Sequence, residues 1–192
     1  MKREVEILVE IHEKKKKALQ KLHELKFLGN KKTLDTYYYD PKRNELKPDP
    51  SGQLKQCLRI RDKDGESSIA YKVDRFDKKG VWLYSDEYET KVDDYKKIDE
   101  IFKKLGFKEL IRIKNIKSTF TSKSYEIVLE DVKGLGLFME VERHHVRRTE
   151  NVSNVKKEIL NWIQSLGIKV SLELTMGKPE LMLRKKNKKD TD

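Results

Sequence analysis

A single cysteine, Cys57, occurs in the 192 residues, so no internal disulfide can staple the fold. The four histidines and that cysteine fall at no spacing that suggests a zinc site. No apolar run approaches the ~20 residues a membrane-spanning helix needs, and the basic N-terminal residues are not followed by the apolar core of a secretory signal. A cytoplasmic protein with no membrane association is the expectation. A glycine-rich loop between a strand and a helix, the usual phosphate cradle, is also missing. Gly134-Leu135-Gly136 lies between two strand patterns and reads as a β-turn. Glutamine is scarce while lysine and glutamate abound, the composition of a thermophile surface laced with ion pairs.

What is present is charge. Charged residues make up 40% of the chain and hydrophobic ones 36%, yet the apolar residues recur in patterned runs, which excludes disorder for most of it. The length fits one domain with a proper core. We expect that domain over residues 1–176, followed by a basic tail over 177–192. In that tail Arg184-Lys185-Lys186-Asn187-Lys188-Lys189 reads as a solvated end supplying five of the charges behind the net +11. A basic excess favours polyanionic partners in general: nucleic acid, phosphorylated metabolites or anionic membrane.

Residues 2–11 alternate strictly, with Val5, Ile7, Val9 and Ile11 on one face and Glu4, Glu6, Leu8 and Glu10 on the other, the pattern of a strand with one apolar face. From 12 to 28 the period becomes helical through Ala18, Leu19, Leu22, Leu25 and Phe27, and Gly29-Asn30 reads as the C-cap. Strands are predicted at 32–39 and 55–62, then at 66–74 after an Asp64-Gly65 hairpin signal, and at 81–92 after a turn at 77–80. A helix over 93–105 stops at Gly106. Strands at 107–117, 120–132 and 137–147 follow, then a helix over 151–166 capped by Gly167 and a short helix near Ser171. Strand–helix–strands occurs twice, without a fixed-period repeat.

Five strands carry charges two residues apart, each pair on one face: Glu4/Glu6, Arg59/Arg61, Glu87/Glu89, Arg112/Lys114 and Glu140/Glu142. Such pairs are common on solvated sheet faces. Their pure sign is unusual, because a surface serving solubility alone mixes signs along a strand. If the sheet closes, these faces line a wet bore in which carboxylates suit a hard divalent cation and Arg and Lys suit phosphate oxygens. Other features read as structural. His144 and His145 are adjacent on a strand and face opposite ways. Tyr37-Tyr38-Tyr39 reads as packing, with base stacking the alternative, and Lys14 to Lys17 reads as a solvated helix start.

At these positions the sequence resembles the CYTH superfamily, the triphosphate tunnel metalloenzymes that include class IV adenylyl cyclases and thiamine triphosphatases. Glu4-Val5-Glu6 is similar to the N-terminal Glu-x-Glu-x-Lys signature, with Leu8 at the Lys position. Asp35-Thr36-Tyr37-Tyr38-Tyr39-Asp40, Leu58-Arg59-Ile60-Arg61, Tyr71-Lys72 and Glu87-Tyr88-Glu89 resemble successive strands of the family, with Ser85 where an Arg often stands. Leu129-Glu130-Asp131-Val132 through Gly134-Leu135-Gly136 to Glu140 and Glu142 resembles its strand–turn–strand segment, and Ser171-Leu172-Glu173-Leu174 a late element.

The resemblance implies an α+β fold, a closed antiparallel eight-stranded β-barrel or tunnel with flanking helices. It implies catalytic roles for Glu4, Glu6 and Lys72, and triphosphate binding by Arg59, Arg61, Lys72, Arg112 and Lys114, with Lys117 an alternative on the last of these strands. Mg²⁺ or Mn²⁺ would be held by Glu4, Glu6, Glu87, Glu89, Glu130, Glu140 and Glu142. The implied activity is that of a class IV adenylate cyclase, turning ATP into cyclic AMP and pyrophosphate in a monomer or homodimer. The alternatives are an inorganic or organic triphosphatase, or a module that holds a triphosphate or an RNA 5′-triphosphate with little turnover, which Leu8 and Ser85 favour. A general RNA-binding surface is a further alternative.

Overall fold

The structure, a computed structural model, describes residues 3–78, 80 and 82–189. Lys2 of the first predicted strand, Lys79 of the 77–80 turn, Val81 and the tail residues 190–192 lie outside the described residues. The chain runs β1 (Arg3–Glu4), β2 (Glu6–Glu10), α1 (Lys15–Lys21), β3 (Lys26–Tyr39), β4 (Gln56–Lys63), β5 (Glu66–Phe76), β6 (Trp82–Val92), α2 (Tyr95–Lys104), β7 (Lys108–Thr121), β8 (Tyr125–Val132), β9 (Gly136–Arg143), α3 (Val152–Ser165) and α4 (Lys178–Lys189). The segments form one antiparallel, curled sheet in the order β1-β6-β5-β4-β3-β7-β8-β9-β2. Counted with β1 and β2 as one N-terminal strand interrupted at Val5, the sheet has eight strands.

Burial of the apolar faces drives the curl. Val5, Ile7 and Val9 join Ile127, Leu129, Met139 and Val141 on the outer face, covered by Ala18 and Leu22 of α1 and by Val155, Ile159 and Ile163 of α3. On the opposite side Phe102 of α2 packs on Tyr38 and Ile60. Asp94 caps α2 by accepting hydrogen bonds from the backbone N–H groups of Lys96 and Lys97. A third cluster lies on the inner face at one end of the curl, where Leu8, Tyr37, Ile111, Ile113, Val132 and Phe138 meet Leu181 and Met182 of α4.

Three expectations are corrected. The first helix spans Lys15–Lys21 rather than 12–28, because the chain from Lys26 onward pairs with β7, beginning at Lys26 opposite Thr121. Tertiary pairing here overrides a helical period. Gly29 is therefore no C-cap; it lies in β3 at φ +127 beside a register shift, a bulge that glycine accommodates. Second, no short helix forms at Ser171, and the segment read as a solvated tail begins with a packed helix in which Lys178 and Glu180 are buried.

The third correction concerns closure. The sheet is curled, and the continuous barrel expected from the resemblance is not formed. β1 makes two pairs with β6, Arg3 with Asp86 and Glu4 with Ser85, and β2 then pairs with β9 alone. The free edge of β2 is taken by a strap at 170–174. The Ser171 N–H donates to Glu10 O at 2.9 Å, the Leu174 N–H to Leu8 O at 2.9 Å, and the Glu10 N–H to Ser171 Oγ at 3.0 Å. On the other lip Trp82 O accepts from Lys156 Nζ at 2.9 Å, so beyond the two β1–β6 pairs the edges find partners elsewhere.

Because α3 covers the outer face through Ile159, which is wholly buried, Ile159→Ala is expected to lower unfolding free energy by about 2–5 kcal/mol in a denaturant titration.

Candidate functional site

Period-two alternation and antiparallel register decide which side chains share the inner face. A cavity of about 480 Å³ occupies the curl, and its lining is dominated by charge from nearly every strand: Glu4, Glu6, Arg59, Arg61, Lys72, Glu87, Glu89, Lys117, Glu126, Glu140 and Glu142. Lys178 reaches in from α4.

On one side the cations gather. Arg59 is buried, with its guanidinium 3.4 Å from Glu87 and 3.6 Å from Glu89. Its Nε is buried and has no hydrogen-bond partner among the described residues. Arg61 is held by two bonds to Asp35, at 2.6 and 2.8 Å. Burial alone would raise the Asp35 carboxyl, but the Arg61 charge and those bonds outweigh it and hold the group well below its ordinary 3.8. Lys72 donates to Glu4 at 2.9 Å and lies 3.2 Å from Glu87. Burial lowers its affinity for a proton, yet Glu6 and Glu4 raise it further, so the ammonium stays charged.

On the other side the register stacks like charges. Glu126 of β8 lies opposite Glu142 of β9, and Glu142 opposite Glu6 of β2, giving three carboxylates in one row across three strands. Directly opposed like charges destabilise a sheet unless a cation compensates them. Burial, then the Glu140 charge, pushes the Glu6 carboxyl up to about 8. Glu140 itself is held well below the carboxylate range: burial opposes ionisation, but Lys178 and then Lys117 overcome it. Glu130, wholly buried, is 2.8 Å from Lys117, 3.0 Å from Lys178, and accepts a 2.8 Å bond from Asn115.

The predicted residues therefore divide. Glu4, Glu6, Arg59, Arg61, Lys72, Glu87, Glu89, Glu140 and Glu142 all line one cavity. Glu130 lies behind it as a buried anchor for two lysines. Arg112 and Lys114 are brought elsewhere: they fall on the exposed face of β7, where Arg112 pairs with Glu109 at 2.5 Å, while Lys117 occupies the inner face. Counting from Ile113 by twos through Asn115 reaches Lys117, so the alternation carried the signal. Glu126 was missed although it sits four residues before Glu130 on the same face. Lys178 had no sequence signal, because only the strap and α4 bring it in. Of the three tyrosines, Tyr37 lines the cavity and Tyr38 packs on Phe102.

The donor set fits a hard divalent cation, being all carboxylate. Among the described residues no three such side chains converge tightly enough to coordinate one, and Glu4 and Glu140 are paired with Lys72 and Lys178. Among those residues, too, no helix is long and apolar enough to cross a membrane.

The Asp35–Arg61 pair gives a pH signature. A depressed folded pKa contributes stability above the ordinary value of 3.8 and loses it as pH falls through the folded value. Asp35→Asn is expected to cost about 3–5 kcal/mol near neutrality. In urea titrations across pH, the gap to wild type should narrow below about pH 4.

Comparisons with known proteins agree with this geometry. The "Putative adenylate cyclase" of Methanocaldococcus jannaschii is 35% identical over 167 residues, which covers 86% of this chain and 90% of the relative. Among solved structures, the PH1819 protein of Pyrococcus horikoshii OT3 is 27% identical with a TM-score of 0.76, covering 95% of this chain and 99% of the other. A Hippeastrum protein described as a "putative adenylyl cyclase" with a dominant triphosphatase activity shares the fold, with a TM-score of 0.63 at 15% identity over 91% of this chain and 92% of its own. A family model described as the CYTH domain matches residues 2–173, and on that match the chain belongs to the CYTH domain family.

Proposed function

We propose that the cavity binds a nucleoside or organic triphosphate with a divalent cation and carries out phosphorus–oxygen bond transfer on it, with ATP cyclisation as the primary reaction. The observation that carries the reading is Arg59. Its side chain lines the same cavity as Arg61, Lys72 and Lys117, and guanidinium and ammonium groups gathered in one bore suit phosphate oxygens. The name of the M. jannaschii relative supports cyclisation. The activity of the Hippeastrum protein supports hydrolysis of the terminal phosphate as the alternative outcome of one site.

In this reading Arg59, Arg61, Lys72 and Lys117 bind the phosphate chain, while Glu87, Glu89, Asp35 and Glu130 orient those cations. Glu126, Glu140 and Glu142 would hold Mg²⁺ or Mn²⁺, with Glu4 at the edge of that group. The bound cation would supply charge neutralisation on the phosphates. For cyclisation the ribose 3′-oxygen forms a bond to the α-phosphorus, the α–β bridging bond breaks, and pyrophosphate leaves with that bond's electron pair. The hydroxyl proton passes to a carboxylate. Glu6, its carboxyl pushed up to about 8 by burial and the Glu140 charge, accepts that proton in its ionised form, so this role favours alkaline pH. In the hydrolytic alternative water attacks the terminal phosphorus, using the same cations. We further propose that ligand binding draws the lips of the curl together at the seam between β1–β2 and β6, forming the complete tunnel.

Incubation with ATP and Mn²⁺, then with tripolyphosphate and Mn²⁺, followed by chromatographic separation, tests this. Cyclic AMP with pyrophosphate is the expected product pair from ATP, orthophosphate marks the alternative, and no product from either across pH and temperature sinks the enzyme reading. Arg59→Ala is expected to lower kcat by about 10²–10³-fold.

A further inference from the structure

Lys178 carries a consequence that goes beyond the triphosphate reading and rests on it. Glu140 stands in mid-wall, and both its cross-strand neighbours are apolar: Val128 on β8 and Leu8 on β2. Neither adjacent strand therefore offers a cation at its level. The ammonium of Lys178 bonds Glu140 and lies 3.0 Å from Glu130, with its side chain only 10% exposed. It occupies ground that a divalent ion would share among the same carboxylates.

The delivery route is visible in the backbone. The strap at 170–174 is bonded along β2 and leads into α4, whose first residue is Lys178. Pro179 in the first turn presets the backbone there. The helix is anchored by contacts that do not involve the lysine. Glu180 accepts from the Leu54 N–H at 3.2 Å, Arg184 donates to Ser51 O at 2.9 Å, and Leu181 and Met182 pack into the inner cluster. Only the side chain of Lys178 therefore has to move, and lysine is a compact charge on a flexible four-carbon stem.

We propose that Lys178 is an exchangeable cation of the site: it neutralises Glu130 and Glu140 until a divalent ion arrives, yields Glu140 to that ion, and turns its ammonium to an oxygen of the polyphosphate. Two cations sharing one carboxylate must weaken each other's binding, whereas ammonium and polyphosphate must strengthen each other's. The two affinities should then respond to the side chain with opposite signs.

The test uses the full chain, with Mn²⁺ titrated alone by the magnetic resonance signal of the free ion and tripolyphosphate titrated by calorimetry into protein saturated with Mn²⁺. Lys178→Met is expected to bind Mn²⁺ about tenfold more tightly and tripolyphosphate about tenfold more weakly than wild type. A loosened fold would weaken both, so parallel weakening, or no change in either, overturns the proposal. Wild-type protein gives a second readout that no folding defect can confound. Acylation of Lys178 by an amine-reactive ester, read by mass spectrometry, should rise severalfold on adding Mn²⁺ and fall again on adding tripolyphosphate. A labelling rate indifferent to both overturns the exchange. If wild type binds neither probe, the underlying triphosphate reading fails with it. If wild type binds both and the variant is unchanged, the Lys178 role alone fails.

Discussion

The organising constraint of this fold is that antiparallel register sets like charges beside one another on a concave surface. Once Glu6, Glu142 and Glu126 occupy successive strands in one row, no rotation of a strand can hide them without exposing Val5, Ile7, Ile127 and Val141 on the other face. The apolar outer face fixes the register, and the register fixes the electrostatic problem. Several basic groups in the cavity face carboxylates of the same lining. Lys72 compensates Glu4 and Glu87, Arg59 faces Glu87 and Glu89, and two lysines converge on Glu130. The interior is a set of partly compensated charges of both signs.

Such an arrangement costs stability in the free protein, since desolvated ion pairs seldom return what burial takes from them. The apolar clusters on three sides offset that cost. Their distribution is instructive: two lie outside the curl under helices, and the third plugs one end of it from within. A charged bore therefore coexists with a dry end, and Lys31, Lys63 and Gly29 also line the cavity. Electrostatic attraction of an anion to those lysines requires no specific contact.

Much of this was legible in the sequence, for an identifiable reason. Pure-sign pairs at period two report a shared face, and Glu4/Glu6, Arg59/Arg61, Glu87/Glu89 and Glu140/Glu142 do line one cavity. The same arithmetic misleads where two registers are available within one strand, as on β7. There Arg112 and Lys114 looked like a site pair, while Ile111, Ile113 and Asn115 put Lys117 inside. Helix length failed where pairing of β3 with β7 took residues that also suited a helix. The strap and α4 were beyond reach because their roles depend on contacts between residues far apart in the chain, Leu174 with Leu8 and, through that path, Lys178 with Glu130 and Glu140. No local pattern encodes those.

One feature of the topology bears on how the molecule comes to exist. The residues from Arg3 to Glu10 hydrogen-bond first to β6 and then to β9, partners some eighty and one hundred and thirty positions downstream. During synthesis β1 waits for β6, and β2 stays unpaired until β9 has emerged as well. Contacts of such long sequence separation delay the rate-limiting step of folding and leave an alternating strand edge exposed in the meantime. The glutamates that later serve the bore also keep that edge charged while it waits, which discourages pairing between nascent chains.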